Sequence, residues 1–428
     1  MKEILLKQLR KILRTLARLT IKKYNPWIVG ITGSVGKTST KSAIYQILKQ
    51  NGNVRMAGGN LNNELGLPLA ILGDYQKSGG SLFWVKVIFS AVWQLMVRQE
   101  YPDVLILEYG ADRPGDIAYL LTIVRPNISV ITAVGKIPVH IEFYEGSEGV
   151  AREKGKLVQG LRVNDAAVLN EDDLLVVEMK GKTRARIMTF GFTESADVKI
   201  VNFENRSENG RPKGISFKLE ANGSFVPVKI DGIFGYAHAY AAAAAACVGL
   251  MKGVNLVKIS EALSFYVGEP GRMSLVQGRD DTFIIDDTYN AAPLSMGAAL
   301  DVLESISATR KITILGDMAE LGKYSTYAHE DIGKKVGKIV DILVTVGGKG
   351  RLIGEGARKA GLKEDMIIKC KTSDEAIEKI TALLQKGDLI LVKGSQSMRM
   401  EKIVRGIMKE PERAPELLVR QYGKWISS

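Results

Sequence analysis

The stretch Gly30-Ile31-Thr32-Gly33-Ser34-Val35-Gly36-Lys37-Thr38-Ser39 decides how this chain is read. The apolar run Trp27-Ile28-Val29 ahead of it reads as a buried strand. Behind it, Ala43, Ile44, Ile47 and Leu48 recur at helical spacing until Asn51-Gly52 ends the run. A glycine-rich turn between a strand and a helix lets backbone N–H groups close around phosphate oxygens at the helix N-terminus. Gly33, Ser34, Val35, Gly36 and Ser39 supply that turn, Lys37 a point charge for the β- and γ-phosphates, and Thr38 a hydroxyl for Mg2+. A strict Walker A motif has glycine where this chain has Ile31, so the pattern is Thr-Gly-Ser-x-Gly-Lys-Thr. A nucleoside triphosphate site is the expectation. The alternative is a glycine turn with an accidental Lys-Thr.

Upstream of the turn lies most of the chain's charge. The 428 residues carry a net charge of +12, and eight basic residues against Glu3 within residues 1–23 account for +7 of it. The remainder is mildly basic, which excludes a broad nucleic-acid face. Residues 2–23 read as an amphipathic helix, with Leu5, Leu9, Ile12, Leu16 and Leu19 on one face, widened by Leu6 and Leu13. Lys7, Arg10, Lys11, Arg14 and Arg18 gather opposite. Such a helix suits an anionic membrane surface, or packs on its own domain or on a second copy. At 46 % hydrophobic and 25 % charged residues the composition is that of a soluble globular protein, long enough for two or three domains. Cys247 and Cys370 offer neither a disulfide framework nor metal-ligand spacing and fit a reducing cytosol. No apolar run reaches the ~20 residues of a membrane span, and the N-terminus lacks the apolar core of a signal peptide.

Downstream, Gly58 to Pro68 contains Asn60, Asn62 and Asn63 among glycines, a loop with amides to offer. Residues 82–97 are apolar nearly all round with one lysine, and burial against another helix is the expectation. Val104 to Leu107 reads as a buried parallel strand ending in Glu108, a candidate Mg2+ ligand, because open α/β sheets bind ligands at the carboxyl ends of their strands. Ile128 to Val134 is a second such strand. His140 follows it, one of three histidines, either a metal ligand or an ordinary core or surface residue. Residues 147–157 read as a charged helix, 187–230 as an antiparallel patch, and Tyr236 to Gly253 as an alanine-rich helix. Gly268-Glu269-Pro270-Gly271 reads as a linker. Beyond it, strands at Phe283–Ile285, Ile312–Leu315, Ile342–Val346, Met366–Ile368 and Leu389–Val392 alternate with helices, a second doubly wound domain. The expected organisation is α/β: a basic helix over 1–25, a central P-loop domain with a mostly parallel sheet over 26–268, and a Rossmann-like C-terminal domain over 269–428.

Several stretches together resemble the Mur ligases, ATP-dependent amide-bond-forming enzymes of cell-wall precursor synthesis. They are Gly33-Ser34-Val35-Gly36-Lys37-Thr38; Asn60 to Gly66; Glu108-Tyr109-Gly110-Ala111 with Pro114-Gly115-Asp116-Ile117; His140; and Gly149 to Gly155. Further along stand Asp286-Asp287-Thr288-Tyr289-Asn290-Ala291, Leu315 to Gly322, and Val392-Lys393-Gly394-Ser395. The Asp-Asp-x-Tyr-Asn and Leu-Gly-Asp-Met-x-Glu-Leu-Gly stretches point to the MurF type, which adds D-alanyl-D-alanine. The resemblance runs from about Trp27 to Arg405.

It implies that ATP phosphorylates a muramoyl-peptide carboxylate and that an amine such as D-Ala-D-Ala attacks the acyl phosphate. By the same resemblance Lys37 contacts the β- and γ-phosphates, and Thr38 and Glu108 hold Mg2+. A second Mg2+ sits near His140 and a carbamylated Lys154, which make up the catalytic set with Lys37. Asn63, His238, Arg272, Asp287 and Tyr289 serve ATP, while Asn60, Asn62, Asn290, Lys393 and Ser395 face the substrates. Three departures stand out. The family's N-terminal uridine-diphosphate domain has no counterpart in the residues ahead of Trp27, so the donor is expected to be held by the 1–23 and 82–97 segments or to use another carrier. The His-Asn-x-x-Asn pattern near adenine reads His238-Ala239-Tyr240-Ala241-Ala242, and Asn-Ala-Asn-Pro reads Asn290-Ala291-Ala292-Pro293. The competing functions are a Mur-type ligase with another donor or acceptor, a non-catalytic nucleotide-binding partner, and a membrane-surface scaffold.

Overall fold

The computed structural model describes residues 2–59, 61–76, 79–138, 140–422 and 425. Two sheets organise it. The first contains β1 (Trp27–Thr32), β2 (Val54–Met56), β3 (Val104–Glu108), β4 (Ile128–Ile131), β5 (Ala166–Asn170), β6 (Arg186–Gly191), β7 (Val198–Glu208), β8 (Arg211–Ala221) and β9 (Ser224–Asp231). Their order is β2-β3-β1-β4-β5-β6-β7-β8-β9. Strands β2 to β7 pair in parallel, and β7, β8 and β9 close the edge as an antiparallel meander. The antiparallel patch expected over 187–230 is therefore smaller: β6 joins β5 in parallel. The second sheet holds β10 (Ser274–Gln277), β11 (Phe283–Asp287), β12 (Arg310–Gly316), β13 (Ile342–Val346), β14 (Ile367–Cys370) and β15 (Asp388–Lys393). It is ordered β10-β11-β15-β12-β13-β14 and is parallel except for β10. Every residue of β3, β11, β13 and β15 is buried, which is why each carries an apolar run, with charged residues only at the strand ends.

Helices cover the first sheet on both faces. Helix α1 (Lys2–Tyr24) leads into β1, and α2 (Lys37–Leu48) leaves it. With Gly36 as the left-handed N-cap (φ 88°), α2 packs Ile44, Ile47 and Leu48 beside the alanine helix Tyr236–Met251. On the other face lie α1, α3 (Gly66–Leu72), α4 (Ser81–Met96), α5 (Asp116–Leu121) and α6 (Gly146–Gln159).

Two helices differ from expectation. In α1 the buried stripe is Leu13, Leu16, Ala17 and Thr20, with Leu9 and Ile21 beside it, while Leu5, Ile12 and Leu19 are exposed. The helix packs against α3 and α4, with the small Ala17 and Thr20 in its buried stripe. Helix α4 is the larger correction. It buries only Val87, Ala91 and Gln94, and presents Leu82, Val85, Phe89, Val92, Trp93 and Met96 to solvent. The expected burial against a neighbouring helix covers one of its faces, not the whole.

Candidate active site

The carboxyl ends of both sheets face one cleft of about 1690 Å3. On its floor the chain leaves β1 through Gly33 (φ 150°), where an added Cβ would lie 1.9 Å from Thr132 Oγ1. No side chain fits there. The Ser34 N–H donates to Ala133 O (2.6 Å) and Thr132 Oγ1 to Val35 O (2.6 Å), which pins the turn to the end of β4. Lys37 is half-buried and its Nζ donates back to Gly33 O at 2.7 Å. Burial lowers its pKa, and Glu108 nearby opposes the shift.

Glu108, at the end of β3, faces two lysines. Lys41 Nζ lies 2.9 Å from Glu108 Oε1 in a pair buried on both sides, and also donates to Ala57 O at 2.8 Å. Burial alone would raise the Glu108 pKa, but Lys41 and Lys37 outweigh it and hold the carboxylate ionised. The Lys41 ammonium thus meets the Glu108 charge directly.

His140 stands at a left-handed position (φ 63°) between acids of both halves: Nε2 is 3.3 Å from Asp112 and Nδ1 2.6 Å from Glu320. The Glu320 approach is close but unaligned, leaving Nδ1 without a hydrogen bond. Lys154, buried on α6, has its pKa lowered to about 7, first by burial and then by the Lys37 charge. Its neighbour Glu153 takes the backbone N–H groups of Gly115 (3.0 Å) and Ile117 (2.9 Å), a cap on the start of α5.

The linker and second sheet close the other side. Arg272 donates from a guanidinium nitrogen to Thr38 Oγ1 at 3.0 Å and stacks 4.0 Å over the Tyr289 ring. Lys393, fully buried at the end of β15, pairs with Asp287 at 2.6 Å and donates to Asn290 O at 2.9 Å. Ser395 Oγ accepts from the Ala319 N–H at 2.7 Å. Asn62 lines the cleft, its carbonyl accepting from Gly110, whereas Asn63 Oδ1 caps the start of α3 through the N–H groups of Leu65 and Gly66. Asn60 lies outside the described residues. His238 is buried with both ring nitrogens engaged: Nε2 at 2.9 Å from Arg272 O and Nδ1 at 2.9 Å from Tyr266 Oη. Its protein contacts therefore brace the linker.

Sequence reading missed Lys41, Asp112, Glu320 and Glu153. Lys41 was within reach, since it lies one helical turn after Lys37 on the same face of α2. Among the described residues no three His, Cys, Asp or Glu side chains converge as a preformed metal cage. What the cleft does contain is two polar atoms shielded from solvent with no partner, Ser34 Oγ and Arg272 Nε. Such atoms are costly in a folded protein unless a ligand meets them.

The comparisons with known proteins agree with this arrangement. Residues 31–82 and 89–249 match the Mur ligase middle domain, and residues 271–396 match the Mur ligase, glutamate ligase domain. The UDP-N-acetylmuramoyl-tripeptide–D-alanyl-D-alanine ligase of Escherichia coli is 30 % identical over 388 residues, covering 89 % of this chain and 77 % of its own length. The chain belongs to the Mur ligase family. The enzyme of the same name from Bacillus subtilis is 28 % identical over 403 residues, covering 93 % of this chain and 79 % of its own. Among solved structures, the MurF ligase from Thermotoga maritima in complex with ADP superposes with a TM-score of 0.78 at 27 % identity, covering 94 % of this chain and 84 % of that one. MurF from Acinetobacter baumannii gives 0.77 at 27 % identity, covering 92 % and 79 %.

Proposed function

We propose that this Mur ligase uses ATP to activate the peptide carboxylate of UDP-N-acetylmuramoyl-tripeptide and joins it to D-alanyl-D-alanine. The observation that carries the reading is the phosphate-binding turn on the floor of one cleft, with Lys37, Thr38 and Glu108 beside it and Arg272 above it, where Ser34 Oγ and Arg272 Nε are shielded from solvent without a hydrogen-bond partner.

A carboxylate is a poor electrophile, and converting it to an acyl phosphate gives the attacking amine a good leaving group. The γ-phosphoryl group in flight carries negative charge that cations must meet. Lys37 is poised for this: its bond to Gly33 O is a resting contact that a phosphate oxygen replaces. Arg272 supplies a second cation from the opposite wall, with its Nε free to donate. The Glu108 carboxylate and the Thr38 hydroxyl would suit a hard divalent cation, and His140 beside Asp112 and Glu320 would take part in holding a second. Mg2+ at these residues would neutralise the charge shared between phosphates. Lys41 keeps Glu108 ionised and hence able to bind it.

Lys154 contributes through its free amine. With a pKa near 7 a large share of its Nζ is unprotonated. Its lone pair can form an N–C bond to CO2, the amine proton leaving to solvent, so that a buried cation becomes an anion in the cleft that His140 also lines. Lys393, Asn290 and Ser395 form the acceptor side, and Asp287, expected at the nucleotide, holds the Lys393 ammonium in place. The reading assigns the protein to the cytoplasm, where ATP and nucleotide-linked precursors are held, with contact to an anionic membrane through its first helix.

The test is phosphate release from ATP with donor and acceptor supplied separately and together. Release that requires both, with a pentapeptide product by mass, supports the reading. Release independent of D-alanyl-D-alanine, or satisfied only by another amine, replaces it with a different Mur-type ligase.

A further inference from the structure

The outer face of α4 is an apolar surface that the ligase chemistry leaves unused. Leu82, Val85, Phe89, Val92, Trp93 and Met96 recur at three- and four-residue spacing, and Leu82, Phe89 and Met96 are 87 %, 71 % and 75 % exposed. Contiguous apolar surface of this kind on a soluble protein marks an interaction site. Helix α1 lies alongside and is fixed there: Lys23 Nζ donates to the Gln94 and Leu95 carbonyls (2.8 and 3.0 Å), and Tyr24 Oη to Gln94 O (3.0 Å). Both helices bury their inner sides on the same face of the first sheet. The exposed residues of α1 include Lys7, Lys11, Arg18 and Lys22, joined by Lys86 and Arg98 from α4 and its end. No acidic residue occurs in α4, and none in α1 after Glu3; Glu100 is the nearest exposed acid beyond α4.

We propose that α4 is a membrane-docking helix that lies in the interface of an anionic bilayer, with the basic flank of α1 on the lipid headgroups. An apolar stripe with aromatic residues, bordered by lysine and arginine, is the composition of an interfacial helix. No helix among the described residues is long and apolar enough to cross a membrane, so contact is peripheral. A second copy of the chain is a poorer occupant. A symmetric dimer on this face would bring two like-charged α1 flanks together, whereas an anionic leaflet answers the same charge. The inserting element is thus α4, while the leucines of α1 at Leu13 and Leu16 stay in the core. The proposal does not depend on the ligase reading, because vesicle binding involves no nucleotide.

Flotation of the full chain with phosphatidylcholine vesicles, with and without phosphatidylglycerol, tests it. The expected result is binding to the anionic vesicles at low salt and release at high salt. The pair Phe89→Ser and Trp93→Ser, and separately Lys11→Glu with Arg18→Glu, should each weaken binding by about tenfold or more. All four side chains are solvent-exposed and outside the catalytic cleft, and far-UV circular dichroism with the thermal unfolding midpoint reports whether the variants are folded. If either pair fails to fold, wild-type tryptophan emission with bromine-labelled acyl chains answers instead: quenching supports insertion, and unchanged emission opposes it. Absence of binding to anionic vesicles at low salt overturns the proposal. So does a dimer in sedimentation velocity that the Phe89/Trp93 pair converts to monomer, which would assign the face to a second copy.

Discussion

A lysine with a pKa near 7 differs chemically from an ordinary lysine at 10.5. At neutral pH its unprotonated fraction rises from a few parts in ten thousand to about one half. The source is local: Lys154 is buried on α6 and shares its surroundings with Lys37. Lys154→Ala is therefore expected to be nearly inactive and to regain part of its activity with a small added carboxylate, which can occupy the position of the carbamate. Full activity of the unrescued variant in CO2-free buffer would remove the carbamate from the mechanism. His238 gives a second expectation. Burial lowers its pKa to about 4, below an unfolded value near 6.5, so the neutral ring is the folded form. Its stability contribution is complete above pH 6.5 and is lost as pH falls toward 4, by at most about 3 kcal/mol. Chemical denaturation of wild type and His238→Gln between these pH values should converge as pH falls. A constant gap would refute the neutral histidine. Lys37, Thr38 and Glu108 were legible in the sequence because motif and strand end determine them locally. The Lys41–Glu108 and His140–Glu320 pairs were not, since each needs the fold to bring distant segments together.

Elements with strong periodicity were the most readable part of the chain. All five strands expected in the C-terminal half are present as β11 to β15, because buried parallel strands are continuous apolar runs. The short antiparallel β10 carries no such run and was missed. Helix α1 was recognised as a helix, but its inward face was not, because leucine spacing alone does not say which of two adjacent stripes is buried. This has a measurable consequence. Leu13 is fully buried whereas Ile12 is 43 % exposed. Leu13→Ala should cost about 2–5 kcal/mol of unfolding free energy, and Ile12→Ala about 0.5 kcal/mol or less. Equal losses in urea denaturation would mean that α1 is rotated from the orientation described here.

Across the whole molecule, the contacts that join the P-loop half to the linker and second sheet include three side-chain pairs besides the His238 bond to Arg272 O. Ser42 Oγ donates to Glu269 at 2.6 Å, Arg272 to Thr38 at 3.0 Å, and His140 meets Glu320 at 2.6 Å. The linker was visible as Gly268-Glu269-Pro270-Gly271, but its role as a clasp was not, since that depends on where Arg272 points. Arg272 follows the linker directly, rests on the P-loop threonine and keeps Nε unpartnered, so nucleotide binding offers it phosphate oxygens in place of a hydroxyl. A hydrogen bond to a charged group contributes about 1.5–3 kcal/mol, which corresponds to a loss of about tenfold or more in ATP affinity for Arg272→Ala. Ligand-induced stabilisation reads this out. At an ATP concentration about 100 times the wild-type Kd the wild type gains about 2.7 kcal/mol, and a tenfold weaker variant gains about 1.4 kcal/mol less. Arg272→Lys should fall between the two, because it keeps the charge and loses the planar fork. An ATP-induced shift in Arg272→Ala equal to that of wild type would show that the clasp acts on the fold alone and leaves the phosphates to Lys37.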